Sequence, residues 1–350
     1  MDIQKLLKLT IERNASDLHL VPNHYPAIRI NGQLIQLRTL ELLTPKSAEV
    51  MILAILHEEQ RENLMVNKEL DLSYSFESYR FRVNVYFSKG TMAASFRVIP
   101  KKIKTIEELE LPALLHGFTD LHQAFILVTG PTGEGKSTTL ASVINEVNTK
   151  HSRHILTIED PIEYVYSEAK SLVSQREIGY DTHAWSVSLR SALREDPDVL
   201  LIGEMRDYET IAIALTIAET GHLVFSTIHT NSASQTIDRI IDVFPAHQQN
   251  QIRIQLSLVL KAIVSQRLVP NITGTGRLPA CEILINNSAI SSIIREGKTH
   301  LIDNVIQTSS DEGMILLETY LYNMYMQGKI GKETGLSYAI RPKEITKLIK

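Results

Sequence analysis

Gly130-Pro131-Thr132-Gly133-Glu134-Gly135-Lys136-Ser137 has the spacing G-x-x-x-x-G-K-[ST], and Thr138 follows it. Glycines at those positions let the backbone bend until several N–H groups point at one phosphate. A helix opening at Lys136 adds partial positive charge at its N-terminus. Lys136 is the residue type to neutralise β- and γ-phosphates, and the Ser137 hydroxyl the type to hold Mg²⁺. The chemistry implied is binding of ATP with Mg²⁺. Three further segments point to hydrolysis. Ile158-Glu159-Asp160-Pro161-Ile162-Glu163 ends an apolar run. Acids at a strand's C-terminal end face the crevice where α/β sheets bind ligands, and one of these could polarise an attacking water. Val199 to Ile202, then Gly203 and Glu204, has the form of a Walker B strand with Glu204 placed to hold the Mg²⁺ shell. His222 and His229 bracket the run Leu223–Thr227, and His229 follows it where a γ-phosphate sensor would sit.

A second group lies nearer the N-terminus. Tyr79, Phe81, Val83, Val85 and Phe87 alternate with Arg80, Arg82 and Asn84, so both arginines share one strand face. Arg97 has the opposite parity to Phe96 and Val98. Three arginines on one small sheet face could reach a nucleotide across a domain or subunit interface, as arginine fingers do. The alternative is a solvated basic face.

These residues need two kinds of scaffold. Residues 1–100 read as a small α+β domain. A helix opens over Leu6, Leu7, Leu9 and Ile11, and strands follow at Leu18–Val21 and Ala27–Leu37, with a tight turn at Asn31-Gly32. Pro45–Lys68 reads as a helix, and Tyr79–Phe87 and Met92–Pro100 as a hairpin turning at Lys89-Gly90. Residues 101–121 read as a linker, charged early and carrying Pro112 and Gly117. Residues 122–350 read as the P-loop domain. Its apolar runs Phe125–Thr129, Ile155–Ile158, Val199–Ile202 and Leu223–Thr227 suit strands buried on both faces of a mostly parallel sheet. After residue 231 the pattern turns helical: Ile237, Ile240, Ile241 and Phe244, then Ile252, Leu256, Val259 and Ile263.

Length and composition agree. At about 150 residues per domain, 350 residues suggest two. A hydrophobic content of 43% argues against a disordered chain. With 36 Lys+Arg against 40 Asp+Glu there is no global signal for nucleic acid, and no basic stripe with stacking aromatics is evident. The single cysteine, Cys281, can form neither an intramolecular disulfide nor a Cys-only zinc site; among apolar neighbours it reads as core. The longest apolar run, Ile211–Ala218, falls far short of the ~18 residues of a membrane span. With a poor signal peptide at the N-terminus, the expectation is a cytoplasmic protein.

With these pieces placed, the sequence resembles the type IV pilus retraction ATPases, the PilT family within the secretion ATPase superfamily. The resemblance covers nearly the whole chain. Besides the P-loop it rests on Ala15-Ser-Asp-Leu-His-Leu20, Arg80-Phe-Arg-Val-Asn84, Phe96-Arg-Val-Ile-Pro100, Leu156-Thr-Ile-Glu-Asp-Pro-Ile-Glu-Tyr164, Ala192-Leu-Arg-Glu-Asp-Pro-Asp198, Gly203-Glu-Met-Arg-Asp207 and Ala218-Glu-Thr-Gly-His222 through His229. It implies a PAS-like N-terminal domain, a RecA-like P-loop ATPase domain with a helical C-terminal region, and a homohexameric ring. ATP would bind between the domains, completed by a neighbour. By the resemblance Glu163 is the general base and Glu204 the Walker B acid. Arg80, Arg82 and Arg97 approach the phosphates, and His222 and His229 couple the γ-phosphate to domain rotation. The ring would sit at the cytoplasmic, inner-membrane face of the pilus machine, against its platform protein, and act on the pilin filament indirectly in twitching motility. One cysteine excludes the tetracysteine zinc module of the assembly relatives.

One departure stands out. The family's Ala-Ile-Arg-Asn-Leu motif is matched here by Ala289-Ile-Ser-Ser-Ile293, with Ser291 at the arginine position. The later Ala339-Ile-Arg341-Pro342 reads as coincidence, because Pro342 would interrupt a helix. The departure leaves room for a retraction paralogue, a type IV secretion ATPase with another client, or a nucleotide-binding regulatory subunit without turnover.

Overall fold

Alternation along Tyr79–Ser88 puts Phe81, Val83 and Val85 fully inside and Arg80 and Arg82 on the other side. The same logic builds a whole sheet. A computed structural model describes residues 2–30, 32–77, 79–99 and 102–349. Its contacts divide the chain into two units, Met1–Lys102 with Pro161–Val165, and Ile103–Asp160 with Tyr166–Lys350.

The first unit runs α1 (Ile3–Glu12), β1 (Asp17–Leu20), β2 (Ala27–Ile30), β3 (Gln33–Gln36), α2 (Pro45–Leu53), α3 (Glu58–Asn67), β4 (Glu69–Phe76), β5 (Tyr79–Ser88) and β6 (Thr91–Ile99). The six strands form one antiparallel sheet in the order β3-β2-β1-β6-β5-β4. Its apolar face carries Leu18, Phe81, Val83 and Phe96 against Leu6, Leu7 and Ile52 of the helices. The helix expected over Pro45–Lys68 is two helices. His57 and Gln60 exchange hydrogen bonds as a capping box at 3.3 and 3.4 Å, and so start α3 afresh. Strand β4 carried no sequence expectation, because its residues are mostly half-exposed at a sheet edge. The turn expected at Asn31-Gly32 involves residue 31, which lies outside the described residues, as do Pro100 and Lys101 at the expected boundary.

The second unit opens with α4 (Leu115–Thr119), β7 (Ala124–Thr129), α5 (Lys136–Lys150), β8 (His154–Glu159), β9 (Leu172–Glu177), α6 (Trp185–Ala192), β10 (Val199–Ile202), α7 (Tyr208–Glu219) and β11 (Leu223–Ile228). It continues through α8 (Ala233–Asp242), α9 (Ala246–Val259), β12 (Leu260–Pro270), β13 (Arg277–Ile285), α10 (Ser288–Glu296), α11 (Ile302–Thr308), α12 (Leu317–Met326), α13 (Lys332–Tyr338) and α14 (Pro342–Leu348). The sheet order is β13-β12-β7-β11-β10-β8-β9, parallel except for the β12–β13 hairpin. Alternate residues of β7 enter different cores: Phe125 and Leu127 pack with α7 and α8, Ile126 and Val128 with α5. Burial on both faces explains the continuous apolar runs.

Two expectations are corrected here. Residues 103–121 are not a loose linker: Ile106, Leu111, Leu115 and Phe118 are buried beside Ile144 and Val147 of α5. Their uneven spacing in a charged stretch follows neither structural period. The helical pattern Ile252, Leu256 and Val259 is real, but Ile263 lies in β12, paired with Leu127 of β7. Leu260 leaves the helix at φ −60°, ψ 128°, and Ile263-Val264 then favours extended chain. Among the described residues no helix is long and apolar enough to cross a membrane.

Candidate active site

The phosphate loop joins β7 to α5. Gly130 has φ 145°, and a Cβ there would stand 2.4 Å from the Gln266 carbonyl oxygen, so only glycine fits. Gly135 caps α5 with a left-handed backbone at φ 77°. Leu140, Val143, Ile144 and Val147 bury one face of α5 and fix its N-terminus over the loop.

Parallel neighbours bring the other groups to the same sheet edge. β11 lies beside β7, β10 beside β11 and β8 beside β10, and all run the same way. Their C-terminal ends therefore deliver the loop, His229, Glu204 and Glu159-Asp160 in one row. Lys136 is buried, and its Nζ donates to the carbonyls of Gly130 and Pro131 at 2.8 Å each. The same Nζ is 3.5 Å from His229 Nδ1, and His229 Nε2 is 3.4 Å from Glu204 Oε2. One tautomer satisfies both: Nε2–H donates to Glu204 and Nδ1 accepts from Lys136. Thr227 Oγ1 donates to the Gly203 carbonyl at 2.6 Å and holds the turn that presents Glu204. Arg206 lies 2.5 Å from the other Glu204 oxygen, and that carboxylate pushes its guanidinium further above an already high value. Sequence reasoning gave Arg206 no role of its own, since nothing in its spacing marks it.

Of the loop's residues, Pro131, Thr132, Gly133 and Glu134 form the turn, and exposed Ser137 and half-buried Thr138 stand in the first turn of α5. Among the described residues no cluster of three or more His, Cys, Asp or Glu could hold a metal ion alone. Ser137 and Glu204 offer two protein oxygens. That set suits Mg²⁺, which keeps several waters and takes phosphate oxygens besides.

His222 does not join this group within the chain. It precedes β11, whereas His229 follows it. Six residues at about 3.3 Å each separate the two by roughly 20 Å. His222 Nδ1 instead lies 3.0 Å from the Ile217 carbonyl, at the opposite sheet edge.

The arginine face belongs to the first unit. Register sets Arg29, Asp17, Arg97 and Arg82 directly across successive strands. Arg97 Nε is 2.9 Å from Asp17 and Arg29 Nε 3.7 Å from it. Arg82 lies 3.3 Å from Glu163, which the chain division places in this unit. Arg80 shares the face and is half-buried. His19, two residues along β1, has its imidazole pushed below its ordinary value by burial, with Asp17 opposing. Arg82 opposite Arg97 is a like-charge pair, a costly arrangement unless an anion offsets it. Ser291 lies on α10 and turns inward, donating to the Ser257 carbonyl and Asn286 at 3.0 Å each.

The Type II/IV secretion system protein model matches residues 1–338. The type IV pilus retraction ATPase PilT of Pseudomonas aeruginosa is 45% identical over 343 residues, covering 98% of this chain and 99% of that protein. The chain belongs to the PilT family of type II/IV secretion ATPases. A twitching motility protein of Neisseria gonorrhoeae is 44% identical, covering 89% of this chain and 83% of that one. The crystal structure of the pilus retraction motor PilT with bound ADP superposes with a TM-score of 0.92 at 44% identity, covering 99% of each chain. The family's two-part architecture, an α+β N-terminal domain and a P-loop ATPase domain, is the one seen here.

Proposed function

We propose that the chain is the ATP-hydrolysing motor of type IV pilus retraction, working as a Mg²⁺-dependent homohexamer in the cytoplasm against an inner-membrane platform protein. The observation that carries this reading is the run Lys136–His229–Glu204 at the C-terminal strand edge, in a chain of this family. Lys136 and the loop N–H groups bind the phosphates. Ser137 and Glu204 would hold Mg²⁺, which would offset phosphate charge when bound. Glu163 takes the proton of the attacking water, oriented by Arg82. Arg80 and Arg97 present further positive charge to phosphate. His229, tied to both Lys136 and Glu204, registers the γ-phosphate. His222, at the other sheet edge, is assigned to transmitting movement.

Expression in a strain lacking its own retraction ATPase tests the reading. Restored twitching is expected for the wild-type chain. Rescue only by Ser291→Arg would reassign the chain to another client, and rescue by neither contradicts the motor reading.

A further inference from the structure

Strand β12 carries more than structure. Its parallel pairing with β7 brings its C-terminal residues against the phosphate loop. Gln266 is buried there with both ends of its amide used. Oε1 accepts from Thr139 Oγ1 at 2.7 Å, and Nε2 donates to the Glu134 carbonyl at 2.6 Å. The next residue, Arg267, sends one guanidinium nitrogen to within 3.7 Å of Glu134 Oε1, and the other donates to Asn231 Oδ1 at 2.9 Å. The Leu268 N–H donates to Glu134 Oε2. Three consecutive residues thus grip one loop residue by its carbonyl and both carboxylate oxygens. Asn231 lies two residues beyond His229, and His229 faces Lys136. The contacts close a circuit from Lys136 through the loop to Glu134, Arg267, Asn231, His229 and back.

We infer that Glu134 and Arg267 are positioning residues that hold the phosphate loop and the His229-Thr230-Asn231 loop in register. The Glu134 side chain therefore serves the nucleotide indirectly. Both partners are mostly shielded, with 18% and 21% of their side chains exposed, so salt screens the pair weakly. Bending the phosphate loop alone needs only its glycines. A link to the β11 loop adds a fixed distance between the group that binds phosphate and the group that registers it. Small misplacements of that kind lower the chemical step more than binding.

The inference rests on the ATPase reading, and two readouts keep their failures apart. Arg267→Ala and Glu134→Ala are each expected to lower kcat about tenfold. Affinity for fluorescent ADP should change by less than about threefold, a split that marks positioning and not binding. The double variant should be no worse than either single, because both break one link. Glu134→Gln, which keeps the acceptor for Leu268 N–H, should fall between. Independently of turnover, hydrogen exchange in Arg267→Ala should quicken in peptides spanning both 130–138 and 229–231. Unchanged exchange in either peptide, or additive losses of kcat, overturns the inference. A wild-type chain without turnover would overturn the ATPase reading alone, leaving the exchange result to decide the strap.

Discussion

The two charged regions of this molecule are built on opposite plans. In the P-loop unit, charged groups sit among buried strand ends and each is held by fixed partners: Lys136 by two carbonyls, Glu204 by His229 and Arg206. In the N-terminal unit, charge lies on the open face of an antiparallel sheet. Arg97 keeps 72% of its side chain exposed even while paired with Asp17. The first plan fixes geometry before a ligand arrives. The second sets Arg82 opposite Arg97 across neighbouring strands and offsets them with Asp17 and Glu163. Removing Arg341, on which two buried carboxylates of the P-loop unit depend, should therefore cost folding, whereas removing Arg97 should cost chemistry.

The largest expected effect sharpens the first half of that contrast. Arg341, in the stretch read as a coincidental match to the family motif, binds Glu282 at 3.0 Å, Glu318 at 2.9 Å and Asp303 at 2.7 Å. Pro342 starts α14 at its first position, and residues 339–341 lie between α13 and α14 and outside any helix, as the proline implied. Glu282 is fully buried, and burial pushes its carboxyl up while Arg341 opposes. Arg341→Ala strands two buried carboxylates and should lower stability by about 3–5 kcal/mol. Urea titration checks this, and a loss near zero would break the contrast. Arg97→Ala should do the reverse. Its stability change should stay within about 1 kcal/mol, since the pair is exposed on one side. ATP turnover should fall about tenfold or more. Equal stability losses at Arg97 and Arg341 would erase the distinction. The smallest effect concerns Cys281. Burial pushes its thiol up to about 12. Iodoacetamide at pH 8 should modify it roughly 100-fold more slowly in the folded chain than in urea. Because the folded state disfavours the thiolate, this group lowers stability only as pH climbs past about 9.

The phosphate loop was legible because its chemistry is contiguous: eight residues announce themselves between a strand and a helix. Glu204 and His229 were legible because buried parallel strands are apolar runs that end in polar residues. Parity placed Arg80, Arg82 and Arg97 on one face, but their pairing with Asp17 and Glu163 depends on register and on chain passage, which no local pattern encodes. His222 was legible as the residue before β11, at the other end from His229. It brackets the strand as His229 does, yet a strand has two ends at opposite edges. The β12 contacts to Glu134 were hidden for another reason. The helical spacing Ile252, Leu256 and Val259 runs on by chance to Ile263, and masked the strand that grips the loop.

The central claim is that Lys136 and its row of strand-end partners hydrolyse ATP. Steady-state phosphate release by the full chain with Mg²⁺, measured beside Lys136→Ala, tests it most directly. The prediction is turnover in the wild type that falls by roughly 100-fold or more in the variant and is lost on chelating Mg²⁺. Turnover in Lys136→Ala equal to wild type would contradict it.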